Sequence, residues 1–137
     1  GWIILDHLSI VVSGIGDGDE RRPIDNTMTA LRSLVEELGI GLILVSHLKR
    51  PEGKGHEEGA QTSLSQLRGS GAIAQLSDIV IGLERNQQDE KESNLTTVRV
   101  LKNRFSGETG IACYLRYSSE TGRLTEGNPH FKDETQG

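Results

Sequence analysis

Cysteine is almost absent from this chain. Cys113 is the only one in 137 residues, which excludes an internal disulfide and makes a reducing compartment the default. A basic excess is missing too: 15 Lys and Arg face 20 Asp and Glu, a formal net charge of -5, with aromatics at only 4%. The chain as a whole therefore repels a polyanion, and any nucleic-acid contact has to be local. No apolar run approaches the ~20 residues that cross a bilayer, and the first residues lack the basic segment, apolar stretch and small-residue cleavage site of a signal peptide. The expectation is a soluble, cytoplasmic protein with no membrane partner.

What is present is enough sequence for one domain with a real core, since chains of this size bury roughly two thirds of their unfolded surface. The chain opens without Met, inside the apparent strand "WIILD" at residues 2 to 6, as expected of the carboxyl-terminal part of something longer. The continuous apolar run suits a parallel strand covered on both faces. "SGIGDGDERR" (13 to 22) reads as a loop. From Asp19, a capping residue, the spacing of Ile24, Met28, Leu31, Val35 and Leu38 predicts a helix with Pro23 in its first turn and Gly39 as its stop. "IGLILVSH" (40 to 47) predicts a second buried strand, and strand, helix, strand is a right-handed parallel unit in nearly all cases.

Residues 49 to 66 carry no periodicity, and a connection of that length is more often functional or disordered than idle. A short helix is predicted at 71 to 76 and a third buried-type strand at 78 to 85, followed by a polar loop at 86 to 94. The last third alternates in polarity, as half-buried strands do: "LTTVRVLKNRF" (95 to 105) and "IACYLRY" (111 to 117), with "SSETGRL" (118 to 124) closing a hairpin. Residues 125 to 137 read as a loose polar tail.

In open parallel sheets ligands gather beyond the carboxyl ends of the strands. Asp6, His47 and Arg85 stand at three such ends. An Asp after four apolar residues either caps a turn or holds Mg2+, often through water, beside the phosphates of a nucleotide. His47 either donates to a γ-phosphate oxygen or bonds a backbone carbonyl. Arg104, near the end of an alternating strand, is either a solvated charge or a planar cation that reaches a neighbouring subunit's nucleotide. His7, His56 and His130 lack metal-site spacing and Cys113 reads as core, so no zinc is expected. No Gly-x-Ser-x-Gly elbow occurs, and "GSGAIAQ" is not followed by the Gly-Lys-Ser/Thr of a phosphate loop.

The order of "ILDHLSIVVSG", "LILVSHLKRPEGKGHEEG", "LSQLRGSGAIAQLSDIVIGLERNQQ" and "VRVLKNRFSGETGIACYLRYSSETGRL" resembles the carboxyl-terminal half of a RecA-like motor. It is most similar to ring-shaped replicative helicases of the DnaB type, within them the phage helicase-primase and mitochondrial Twinkle branch. The resemblance runs over residues 2 to 124. It implies an α/β fold of the RecA-like, P-loop NTPase kind: a parallel sheet with antiparallel strands at the carboxyl end, truncated at the amino end. Residues 1 to 124 would form the motor portion and 125 to 137 the tail.

The resemblance further implies that Asp6 is the Walker B acid that positions Mg2+, that His47 feels the γ-phosphate, and that Arg104 is an arginine finger acting on the ATP of the adjacent protomer. Tyr117 resembles the residue packed on the base, with Arg85 near the nucleotide or subunit interface. Loops within 12 to 21, 48 to 60 and 86 to 94 would face single-stranded DNA, with Lys49, Arg50 and Lys54 as phosphate contacts and Arg68 and Gly69 in a further DNA-associated motif. Without the resemblance these lysines read as a solvated loop. The acidic stretch "DEKES" (89 to 93) departs from a cationic clamp, and the phosphate loop and catalytic Glu of the family lie upstream of residue 1.

The function implied is that of an ATP-dependent, hexameric 5′-to-3′ DNA helicase in replication, using ATP or another NTP with Mg2+, and partnered by primase and polymerase. A phage-infected or bacterial cytoplasm fits it better than a mitochondrial matrix. This portion alone is expected to be inactive. A RecA-like recombination or signalling ATPase and a non-enzymatic DNA-binding fragment are the alternatives.

Overall fold

The structure, a computed structural model, describes residues 1–12, 21–49, 53, 55–67 and 71–129. The chain divides into two units, Gly1–Lys49 with Leu64–Asp78, and Arg50–Ser63 with Ile79–Gly137.

In the first unit β1 (Trp2–Asp6) leads into α1 (Leu8–Val12), α2 (Arg21–Leu38) and β2 (Gly41–Val45), with a 3-10 turn at Leu64–Gln66 and α3 (Ala72–Leu76) completing it. The two strands pair in parallel, Trp2 opposite Gly41 through to Asp6 opposite Val45, as the strand-helix-strand order predicts. Gly39 ends α2 at φ 60, a left-handed conformation that costs glycine little. Its amide and that of Ile40 both return to the Val35 carbonyl, at 3.0 and 3.3 Å. Asp19, the expected cap, lies outside the described residues.

Helix α1 is absent from the sequence reading, because an apolar run after a strand carries no period of its own. Leu8 and Val12, four residues apart, share the buried face and meet Ile24 and Met28 of α2 and Ile73 of α3. The apolar stripe of α2 is only partly realised: Ile24 and Met28 are buried, whereas Leu38 is 57% exposed. Arg32 holds α2 to the end of α3, its guanidinium 2.9 Å from Asp78 and 2.8 Å from Glu36. The expectation that β1 is covered on both faces is not met. Trp2, Ile3 and Ile4 are exposed, because the sheet of this unit has two strands and the described helices shield little of β1.

The second unit is an antiparallel meander of β3 (Ile79–Arg85), β4 (Leu95–Asn103), β5 (Gly110–Ser118) and β6 (Arg123–Glu126). Here the sequence reading of 78 to 85 as a further buried strand of the parallel sheet is corrected. β3 hydrogen-bonds to antiparallel β4, and its side chains alternate, Ile79, Ile81 and Leu83 exposed and Gly82 and Glu84 buried. The buried side is a polar anchorage. Glu84, 6% exposed, accepts the Thr62 amide at 2.8 Å and the Arg99 Nε at 3.0 Å, fastening residues 55 to 63 to the sheet. β6 takes in Thr125 and Glu126, which the sequence reading placed in the tail, and the Gly127 amide donates to the Tyr114 carbonyl.

Gly82 is where that anchorage is tightest, because a Cβ there would overlap Thr62 Oγ1 and Cβ. Both are fully enclosed, so Gly82→Ala should destabilise by about 1–3 kcal/mol through overpacking. In a chain of this size that lowers Tm by roughly 3 °C per kcal/mol, readable by calorimetry. An unchanged Tm would show that Thr62 has room to move.

Candidate functional site

The parallel register of the first unit sets its site. Pairing Asp6 with Val45 brings the residues just past each strand to one edge, so Asp6 and His7 stand beside Ser46 and His47. Asp6 is exposed, and among the described residues its carboxylate makes no ion pair. A lone carboxylate open to water is the donor set Mg2+ takes, since that ion keeps most of its waters and binds through one or two carboxylates. Among the described residues no group of three or more His, Cys, Asp or Glu side chains could hold a metal ion.

The imidazole of His47 is exposed and meets the ring of His7 edge to face, with centroids 4.4 Å apart and planes at 78°. Beyond His47 the chain is pinned at once. Leu48 forms a bridge with Leu67, and the Lys49 amide donates to the Gln66 carbonyl at 2.7 Å. Backbone hydrogen bonds thus join the chain just past His47 to residues 66 and 67. Lys49 is exposed, while Arg50, Lys54, Arg68 and Gly69 lie outside the described residues.

The second unit carries Arg85, Arg104 and Tyr117. Arg85 opposes Thr96, and Thr96 opposes Leu115, two residues before Tyr117. Alternation then puts Arg85 and Tyr117 on the same face at the same end of the sheet. Arg104 lies at the other end. Asn103 is the partner of Ile79, six strand steps from Arg85, or about 20 Å at ~3.3 Å per residue. The β4–β5 turn that displays Arg104 is built by Asn103. Its side-chain oxygen accepts the Phe105 amide at 3.1 Å, its Nδ2 donates to Ser106 Oγ at 2.8 Å, and the Gly107 amide returns to its carbonyl at 2.7 Å. Cys113 is half-buried in β5, a free thiol.

Residues 86 to 94 are more ordered than a polar loop suggests. Asn86 bridges to Glu58, and the Gln87 amide donates to the Glu57 carbonyl at 2.8 Å, so the described part of the long loop is tied to this one. An open groove of about 290 Å3 between them is lined by Gln61, Glu84, Arg85, Glu92 and Arg99 among others. Asp89 folds the acidic stretch on itself, accepting the amides of Lys91 at 2.8 Å and Glu92 at 3.1 Å. Glu92 in turn pairs with Arg116 at 3.2 Å. These acids therefore serve the loop's own geometry.

Two features escaped the sequence reading. His7 was set aside for lack of metal spacing, and its contact with His47 exists only through the strand register. Glu84 gave one faint signal, a carboxylate at an alternating position of an apolar strand.

The sequence matches the family model for the DnaB-like helicase C-terminal domain over residues 1–126. A DNA helicase/primase of Enterobacteria phage T3 is 54% identical over 123 residues, which cover 89% of this chain and 22% of that protein. The replicative DNA helicase DnaB of Treponema pallidum is 32% identical over 93 residues, 68% of this chain and 20% of that protein. The chain thus spans about a fifth of the length of these relatives. Among solved structures, one described as a DnaB-like replicative helicase and its interactions with primase superposes with a TM-score of 0.71 at 26% identity, covering 90% of this chain and 29% of that one. The mixed parallel and antiparallel α/β arrangement is that of the RecA-like fold. Among the described residues no helix is long and apolar enough to cross a membrane.

The acidic loop carries its own pH dependence. The two amides hold the Asp89 carboxyl below its ordinary value of 3.8, because they stabilise the charged form. A depressed folded value means the anchorage is complete above the ordinary carboxylate range and is lost as pH falls through the folded value, below 3.8. The amide proton shifts of Lys91 and Glu92 should titrate with that midpoint and cease to do so in Asp89→Asn. A midpoint at or above 3.8 would contradict the geometry.

Proposed function

The chain belongs to the family of DnaB-like helicase C-terminal domains, and from that premise we propose that it is the carboxyl-terminal motor portion of a replicative DNA helicase, coupling ATP hydrolysis to 5′-to-3′ movement along single-stranded DNA in a hexameric ring. The family match over residues 1–126 is the observation that carries this reading. The relatives named as a DNA helicase/primase and as a replicative DNA helicase favour it over a recombination or signalling ATPase. The host or phage-infected cytoplasm is its setting, and primase and polymerase are its expected partners.

Asp6 is the Mg2+ ligand, acting through water at the exposed strand end. A Mg2+ ion held there would supply positive charge against that developing on the nucleotide phosphates. His47 donates to a γ-phosphate oxygen when nucleotide is present and releases it afterwards. The Leu48–Leu67 bridge and the Lys49–Gln66 hydrogen bond carry that change toward Arg68 and Gly69 on one side and Arg50 and Lys54 on the other. Lys49, Arg50 and Lys54 contact DNA phosphates, with Arg68 and Gly69 in a further DNA-associated motif, so binding is salt-dependent and indifferent to base sequence. Another NTP in place of ATP leaves this scheme unchanged.

Arg85 and Tyr117 flank the base of the nucleotide from one end of their sheet. Arg104 sits about 20 Å away on its own hairpin turn, a placement that suits a finger reaching the nucleotide of the next protomer. Hydrolysis is then sensed across a subunit boundary, and a closed ring gives every protomer such a neighbour.

In the full-length protein, Arg104→Ala should lower DNA-stimulated ATP turnover by about 10³-fold or more while nucleotide binding persists, measured by steady-state hydrolysis and by equilibrium binding of a fluorescent nucleotide. Unchanged turnover would remove the finger assignment. Unwinding of a forked duplex by the wild-type protein separates a helicase from a ring ATPase that only signals or promotes recombination.

A further inference from the structure

His7 has no part in the scheme above, yet it is the described side chain that meets the ring of His47. It lies between the last residue of β1 and the first of α1, and the next residue, Leu8, is 2% exposed in the core. Its carbonyl accepts the Ile10 amide at 3.2 Å, which fixes its backbone. The ring is half-buried, and its Nδ1 is enclosed without a hydrogen-bond partner. His47 differs on each count. It stands two residues past β2, its ring is exposed, and no hydrogen bond from a described residue orients that ring. The edge-to-face contact at 4.4 Å is therefore the described interaction that sets the direction of the His47 imidazole.

We propose that His7 is a positioning residue for His47, a half-buried ring on which the exposed imidazole rests so that it faces a γ-phosphate oxygen. This rests on the reading of His47 as the nucleotide sensor. An enclosed nitrogen without a partner is a cost that an apolar ring would avoid. The contact uses the ring rather than that nitrogen, so a phenyl group of similar size serves in its place. An aliphatic side chain does not, because the edge-to-face preference comes from the charge distribution of an aromatic ring.

The test compares H7A, H7L, H7F, H47A and the double variant H7A/H47A in the full-length protein, as DNA-stimulated hydrolysis of ATP with Mg2+. H7A and H7L should lower kcat by about tenfold with the nucleotide KM within roughly twofold, since the sensor rather than the binding of nucleotide is disturbed. H7F should return kcat to within about threefold of wild type, and adding H7A to H47A should change little, because the two rings act as one unit. A purely structural role would lower Tm in all His7 variants alike and would not be rescued by phenylalanine. H7L and H7F with equal rates, or losses in the double variant that multiply, would overturn the proposal, and the pair H7L and H7F decides it even where H7A does not fold. A wild-type protein that hydrolyses no nucleotide removes the functional reading and the role of His7 with it. An active wild type with unaffected H7A and H7L removes the role of His7 alone.

Discussion

The parallel pairing of β1 with β2 is the constraint from which the candidate site follows. Five residue pairs in one register, ending at Asp6 opposite Val45, bring an acid and two imidazoles from positions forty residues apart to a common edge. A slip of one residue would turn every side chain of β2 to the opposite face and separate His47 from His7. That register is held by α1 and α2 between the strands and α3 after them, where Leu8, Val12, Ile24, Met28 and Ile73 exclude water together. Each such side chain contributes roughly 1.5–3 kcal/mol on burial, so the core and not the polar edge sets the position of the site.

The second unit solves a different problem with buried polar groups. Glu84 is enclosed with a carboxylate that hydrogen bonds from Thr62 and Arg99 satisfy, and breaking such a set by removing one partner leaves an uncompensated charge. The return for that arrangement is geometric: the segment ending at Thr62 is fixed against β3, and its neighbours Glu57 and Glu58 against Asn86 and Gln87. Within the second unit the described part of that loop, residues 55 to 63, is therefore held to the sheet by both its backbone and the Glu84 carboxylate.

Much of this was legible in the sequence. The 3.6-residue spacing from Ile24 to Val35, the short helix after Gly71 and the alternating strands from Leu95 onward all appear close to where periodicity and glycine placed them, since each is set by local side-chain spacing. Asp6 at a strand end was legible for the same reason, whereas Arg104, read near the end of a strand, stands on the turn just past it, because β4 ends at Asn103. Helix α1 was not, because its five residues complete little more than one turn and show no repeat. The partner of β3 was not either: "DIVIGLER" has the apolar content of a central parallel strand, and the two roles differ only in what faces Gly82 and Glu84.

Local spacing was enough for the order of the strands and of α2 and α3, the residues at the strand ends and the family likeness, because those depend on neighbours within a few positions along the chain. The tertiary structure alone decided that His7 touches His47, that Arg85 and Tyr117 share one end of a sheet with Arg104 at the other, and that Glu84 fastens the loop at Thr62. Each of these joins residues whose separation in sequence carries no periodic signal, and each is fixed by strand register and by the need to satisfy buried polar atoms once water is excluded.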